Sequence, residues 1–246
     1  MPVTLRESLG LYRYKDKTST SVQTLFDRIS PGYDLFNHLV SFFLDGYWRR
    51  RTAELVDLQA KRVLDVCTGT GELAFALEKR LGGRGEVIGV DFSPKMLALA
   101  HVKLNRRPFQ RKPRLFLGDA QALSFRDDSF DYVTSGFSMR NLTDLKKGLK
   151  EMRRVLKPGG RVIILEINRP SQRLSGWIYS LYLRTWVPLV GTLACKSLSP
   201  FTYLKESVVT FLRPDLFCRI LEEVGFTRAS YQSLAPGAIG LYRATK

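Results

Sequence analysis

A chain of 246 residues, 44% hydrophobic and 25% charged, has the composition of a folded globular protein rather than a disordered or fibrous one. Lys and Arg outnumber Asp and Glu by 39 to 23, a net charge of +16, which favours anionic partners and is silent on fold. Three scattered cysteines (Cys67, Cys195, Cys218) and two histidines (His38, His101) exclude a disulfide framework and an ordinary zinc site, so no metal is expected.

The first twenty residues lack the continuous apolar core of a signal peptide. The apolar stretch from Trp177 to Ala194 is broken by Arg184 and Pro188, which argues against a bilayer span. A cytoplasmic protein is expected. Residues 1–55 read as an aromatic and basic helical segment. From Arg62 onward, β-branched runs alternate with helical patterns: "RVLDV" precedes a helix from about Glu72. "EVIGVD" precedes "SPKMLALAHVKL", with Ser93 as N-cap and Pro94 in the first turn. "RLFLGDA" and "FDYVTSGF" are a third and fourth strand. Asp144 caps the next helix, whose Leu145, Leu149, Met152 and Leu156 recur at helical spacing as far as Lys157-Pro158-Gly159-Gly160. "RVIILE" is a fifth strand, and residues about 170–212 interrupt the pattern. "LFCRILEEVGF" is a helix closed by Gly225, and "TRASYQSL" and "AIGLYRAT" flank Pro236-Gly237 as a hairpin. The rhythm predicts one α/β domain over 1–246, with a doubly wound, Rossmann-like parallel sheet and an antiparallel C-terminal hairpin. The 1–55 and 170–212 segments cover its ligand end.

The chemistry concentrates after the first strand, in "VLDVCTGTGELAFAL". Gly69 and Gly71 stand where an open α/β sheet binds its ligand, at the carboxyl ends of the strands. No Gly-Lys-Ser/Thr follows, so the turn is not a triphosphate loop. Gly69, Gly71 and Ala74 do satisfy the dinucleotide pattern. Three aspartates tilt the balance. Asp65, inside the turn, repels a diphosphate and suits a sulfonium or ammonium. Asp91 ends the second strand where a carboxylate takes both ribose hydroxyls, and Asp119 suits an adenine amino group. Each charge-assisted bond is worth roughly 1.5–3 kcal/mol, so a cationic ligand without a diphosphate gains where a dinucleotide loses. S-adenosylmethionine fits that description.

These residues, with "FDRISPGYDLFNHLVS", "YWRR", "GVDFSPKML", "GDAQALSF", "SFDYVTSGFSMRNLTD", "RVLKPGGRVIILEINRP" and "TYLKESV", resemble the class I methyltransferases that C-methylate prenylated quinols in ubiquinone and menaquinone biosynthesis. The resemblance implies S-adenosylmethionine as cofactor and a prenylated quinol, demethylmenaquinol, as acceptor. It puts Thr70, Asp91, Asp119, Ala120 and Gly136 at the cofactor, with Phe92 beside Asp91. Three departures fall at elements expected to face the acceptor: Asp45, Ser197-Leu198-Ser199 and Tyr242.

A hydroquinone carbon is a weak nucleophile until a neighbouring hydroxyl loses or shares its proton. Arg140 and Asn141, beyond the fourth strand, are the expected catalytic, acceptor-orienting groups, and Tyr33, Asn37 and Trp48 the expected pocket wall. No base is assigned. The +16 charge and the 177–194 stretch predict peripheral contact with anionic membranes. Three rivals stand beside this reading: a nucleic-acid methyltransferase, a nicotinamide-binding protein, and methylation of another lipid-like or phenolic acceptor. The first is disfavoured because "GFSMRN" stands where amino-directed enzymes carry Asn/Asp-Pro-Pro-Tyr/Phe, and no cysteine follows a proline. No specific nucleic acid is therefore expected, and the sequence leaves oligomeric state open.

Overall fold

The computed structural model describes residues 18–168, 181–182, 184–191, 207–208, 211–235 and 238–246. Cys195, Ser197-Leu198-Ser199, the Pro236-Gly237 turn and most of the 170–212 segment lie outside the described residues.

Seven strands form one sheet in the order β3-β2-β1-β4-β5-β7-β6. They are β1 (Arg62–Val66), β2 (Glu86–Asp91), β3 (Arg114–Leu117), β4 (Phe130–Gly136), β5 (Leu156–Ile167), β6 (Thr227–Ala235) and β7 (Ile239–Thr245). The first five run parallel, and β7 is antiparallel to both β5 and β6. This is the doubly wound sheet with its C-terminal hairpin. Strand order reverses between β1 and β4, where such sheets open a ligand crevice.

Two-residue periodicity explains why both faces are covered. Along β1, Leu64 and Val66 join one core with Val133, Val162 and Ile164. Against it pack α6 (Leu145–Val155), through Leu149 and Met152, and α7 (Pro214–Glu223), through Phe217 and Leu221. Val63 points the other way and joins Val87, Tyr132 and Ile163. That face is covered by α3 (Asp45–Glu54), through Trp48 and Ala53, and α4 (Glu72–Leu81), through Leu73 and Leu77.

The predicted caps form. Ser93 Oγ accepts from Met96 N at 3.1 Å to start α5 (Pro94–Arg106), and Asp144 Oδ1 accepts from Lys147 N at 2.9 Å to start α6. One boundary differs. The helix expected to reach Lys157-Gly160 stops at Val155, and β5 already begins at Leu156. The cause is tertiary: Lys246 N donates to Gly160 O at 2.9 Å, and Leu156 pairs with Phe130, so the C-terminus and β4 recruit the segment into the sheet.

Two N-terminal helices, α1 (Ser19–Ile29) and α2 (Tyr33–Val40), close over the carboxyl ends of the strands. Gln23 Nε2 donates to Phe92 O at 2.8 Å, and Ser93 Oγ donates to Asp27 Oδ1 at 2.5 Å. Thr70 Oγ1 donates to Asp34 Oδ1 at 2.6 Å, pinning α2 to the glycine turn. No helix among the described residues is long and apolar enough to cross a membrane.

Candidate functional site

The chain from β1 to α4 turns by taking up left-handed backbone three times, at Cys67 (φ 57°), Gly69 (φ 57°) and Gly71 (φ 86°). Gly71 is required on two counts. Its φ is one that side-chain-bearing residues avoid, and a Cβ there would sit 2.6 Å from Phe75 Cζ. Gly69 borders open space, with nothing within 4 Å of the Cβ position, so a ligand's atoms can approach its backbone. Across the crevice Phe137 adopts φ 60° after β4, so both loops hold a strained non-glycine residue, a recurrent mark of functional sites.

Between these loops lies a crevice at the carboxyl ends of the strands. Gly69, Asp91, Phe92, Asp119, Ala120 and Gly136 line it, with Val22, Phe26 and Tyr33 from the N-terminal helices. Among the described lining residues two are carboxylates and none is Lys, Arg or His. A dinucleotide's diphosphate has no cation to meet there. A positively charged ligand finds two opposite charges.

Asp91 is the keystone. Its Oδ2 accepts from Gly69 N at 2.8 Å and its Oδ1 from Ser93 N at 2.9 Å, which locks the carboxylate at the end of β2. Burial pushes its carboxyl up to about 6, against three backbone N–H bonds that pull the other way. Asp119, exposed, is held by Gln121 N at 2.8 Å.

Asp65 stands elsewhere than expected. It is 1% exposed and does not line the crevice, and its oxygens accept from Thr68 Oγ1 (2.6 Å) and Thr134 Oγ1 (2.8 Å). It ties the turn to β4 from beneath, and burial raises its carboxyl to about 6. Thr70 and Gly71 likewise stand behind the crevice wall, Thr70 facing Asp34 and Gly71 starting α4.

The expected acceptor groups divide in the same way. Tyr33 and Asn141 line the crevice. Burial pushes the Tyr33 phenol above its ordinary value, although Arg49, Asn37 and Arg140 pull it back, so the hydroxyl is protonated at neutral pH. Asn37 therefore supports Tyr33 from behind. Trp48, 8% exposed, belongs to the core and meets Phe137 edge-on, with ring centroids 6.4 Å apart. Arg140 was expected as a cation presented to the acceptor. Instead it is buried, forms a close ion pair with the fully buried Glu166, and donates to Phe137 O at 2.7 Å. Asn141 Nδ2 donates to the same carbonyl at 3.4 Å, so both residues brace the strained Phe137 turn.

The departures from the family pattern resolve unevenly. Asp45 is buried, accepting from Ser41 Oγ at 3.1 Å and pairing with His38 at 2.7 Å and with Arg49. Burial raises its carboxyl, but Arg49 and His38 outweigh that and hold it low. Tyr242 does not face an acceptor. It is fully buried on β7, where its hydroxyl donates to Asn168 Oδ1 at 2.7 Å. Sequence reasoning passed over Asp27, Asp34, Arg49 and Glu166. Their partners lie 66, 36, 4 and 26 residues away, and only the Asp45–Arg49 pair leaves a local signal, the one-turn helical spacing.

The ubiE/COQ5 methyltransferase family model matches residues 14–246. The chain belongs to this family. A demethylmenaquinone methyltransferase of Thermotoga maritima is 42% identical over 228 residues, covering 92% of this chain and 96% of its own. A ubiquinone/menaquinone biosynthesis C-methyltransferase of Geobacter sulfurreducens is 36% identical, covering 97% of this chain and 93% of its own. Among solved structures, a SAM-dependent methyltransferase from Thermotoga maritima superposes with a TM-score of 0.64 at 20% identity, over 92% of this chain and 99% of that one, a likeness of fold.

Proposed function

We propose that this methyltransferase-family chain moves the methyl group of S-adenosylmethionine to a ring carbon of a prenylated quinol, with demethylmenaquinol as acceptor. The observation that carries the reading is the wall of the crevice: two carboxylates and no cation among the described residues, and a glycine turn whose backbone is open to a ligand. Such a donor set fits a sulfonium nucleoside and disfavours a dinucleotide. When bound, the cofactor supplies an electrophilic methyl group. Asp91 takes the ribose hydroxyls, Asp119 the adenine edge, and Gly69, Phe92, Ala120 and Gly136 pack around them. Asp65, Thr70 and Gly71 hold the turn in shape, Asp65 also adding negative potential from beneath.

On the acceptor side Tyr33 and Asn141 supply hydrogen-bonding groups at the wall. Arg140 and Glu166 fix the Phe137 turn between them, and Trp48 and Asn37 back Phe137 and Tyr33. The protonated Tyr33 hydroxyl donates to a ring oxygen and stabilises the quinolate formed when the quinol hydroxyl gives its proton to solvent. The neighbouring carbon of that anion attacks the methyl group, and loss of its own proton to solvent restores the aromatic ring. Holding that carbon in line with the methyl group accounts for much of the rate, since positioning alone is worth up to roughly 7–11 kcal/mol. The relatives named for demethylmenaquinone support a naphthoquinol over other phenolic acceptors. Peripheral contact with anionic membranes, where a prenylated acceptor resides, completes the reading.

Incubating the purified protein with methyl-labelled S-adenosylmethionine and reduced demethylmenaquinone tests it. Label in a quinone one methylene heavier by mass spectrometry is the expected product. Binding of S-adenosylhomocysteine without transfer to any prenylated quinol would leave the cofactor reading standing and end the acceptor reading.

A further inference from the structure

Between α2 and α3 the chain makes a turn whose tip is Phe42-Phe43-Leu44, with side chains 60%, 66% and 47% exposed, followed by Tyr47 at 44%. Both phenylalanines adopt left-handed backbone, φ 51° and 62°, which bulky L residues avoid. Two strained, solvent-facing aromatics in succession are a poor solution for a surface that meets only water. The tip is nevertheless held firmly. Phe42 stacks on Trp186 of the helical 184–191 stretch, with centroids 5.4 Å apart. Trp186 Nε1 donates to Leu39 O at 3.2 Å and Tyr182 Oη to Val40 O at 2.5 Å. Leu189, one turn beyond Trp186, is 53% exposed.

From this apolar tip α3 runs on to line a basic groove between α3 and α4, which begins at Gly46. Arg49, Arg50, Lys79, Arg80 and Arg107 line it against two carboxylates, and both of those are already paired, Glu54 with Arg51 and Glu72 with Lys103 and Arg107. Arg50 bridges the two features, its guanidinium 5.9 Å from the centroid of the Tyr47 ring. Arg49 and Arg107 are paired with Asp45 and Glu72, so the pattern is apolar tip, aromatic shoulder, then three cations with no carboxylate partner among the described residues, Arg50, Lys79 and Arg80, on a chain of net charge +16.

We infer that this face docks the protein on an anionic lipid bilayer. Phe42, Phe43 and Leu44 enter below the headgroups, while Arg50, Lys79 and Arg80 meet the phosphates. Charge decides the occupant: the cations require an anionic partner, and the tip requires hydrocarbon next to it. The inference deepens the quinol reading, because a prenylated acceptor would be taken up from that bilayer, but docking and chemistry fail separately.

Flotation of the full chain with phosphatidylcholine vesicles, and with vesicles also containing phosphatidylglycerol, tests it. Asn tolerates the left-handed conformation, so Phe42→Asn/Phe43→Asn keeps the turn, and Phe43→Asn alone leaves the Trp186 stack in place. The wild type should float with the anionic vesicles, and the double variant should lose about tenfold or more in partitioning. Lys79→Glu should lower it about fivefold and weaken its salt dependence. S-adenosylhomocysteine affinity should be unchanged in all variants, as should turnover of a short-tailed quinol in solution. Equal flotation of wild type and double variant, or none by the wild type, would overturn the inference. So would a wild-type dimer that the double variant dissociates without lipid, since the face would then bind a second copy. Normal flotation without methyl transfer to any quinol would leave the docking face standing and remove the acceptor reading instead.

Discussion

The two sides of the crevice are built differently. The side proposed for the cofactor is made of strand ends and main chain: Asp91 at the end of β2 reaches Ser93 N and, across to the turn after β1, Gly69 N, and Asp119 beyond β3 reaches Gln121 N. The side proposed for the acceptor is made of side chains paired with one another: Tyr33 with Asn37 on α2, Arg140 beyond β4 with Glu166 of β5, and Asp45 with its near neighbours His38, Ser41 and Arg49. A site made from backbone has few ways to change without breaking the fold. One made from paired side chains can exchange partners, so the paired half is where substitutions can alter the site without breaking the fold.

The largest effect should come from splitting the buried pair. Glu166→Gln leaves Arg140 charged and uncompensated in a nearly dry site, which should cost about 3–5 kcal/mol of stability by chemical denaturation. Arg140→Met combined with Glu166→Leu should recover most of that. If Glu166→Gln were as stable as wild type, the pair would not be what braces the turn.

Next is the cofactor side. Asp91→Ala should weaken S-adenosylhomocysteine binding by about ten- to a hundredfold in calorimetry, the worth of one or two charge-assisted hydrogen bonds. Unchanged affinity would remove the ribose assignment.

The raised carboxyls of Asp91 and Asp65 give a pH signature of opposite sign for binding and for stability. Affinity for S-adenosylhomocysteine should fall as pH drops through about 6, because protonated Asp91 loses its charge-assisted bonds. The unliganded fold behaves in reverse. Between about 6 and the ordinary 3.8, the native state binds protons that the unfolded chain does not, so these two groups make stability rise as pH falls across that window. Glu72 opposes this only at lower pH: burial raises it, but Arg107 and Lys103 outweigh burial and hold it at about 2, so its contribution is lost below 4.5. Thermal melts of wild type and Asp91→Asn from pH 7 to 4 should therefore differ in slope, with the variant flatter. Parallel curves would contradict the burial assigned to Asp91.

The smallest effect tests the roof. Asp34→Ala removes the contacts of α2 with Thr70 and Lys103, and should speed cofactor release about fivefold, the equivalent of about 1 kcal/mol. Stopped-flow fluorescence reads the rate, and no change would mean that the helix does not gate the crevice.

This contrast also explains what was legible in the sequence. The alternating runs, the Ser93 and Asp144 caps and the Gly225 stop are local signals, and each was read from neighbouring residues. So were Gly69, Asp91 and Asp119, because strand ends place them by connectivity alone. The start of β5 at Leu156 was illegible, since it depends on Lys246 reaching back to Gly160. Arg140 was read as a presented cation because its partner, Glu166, lies on another strand. Asp65 reads from the sequence as part of the ligand-facing turn, whereas it lies on β1 just ahead of it, where two threonine hydroxyls that the sequence does not reveal hold it inward.

The most direct measurement of the central claim is a crystal structure of the chain with S-adenosylhomocysteine. The ribose hydroxyls should lie within hydrogen-bond distance of the Asp91 carboxylate, the adenine amino group near Asp119, and the sulfur in the crevice that Tyr33 and Asn141 line. The ligand bound elsewhere, or a nicotinamide dinucleotide occupying the crevice in its place, would contradict the account.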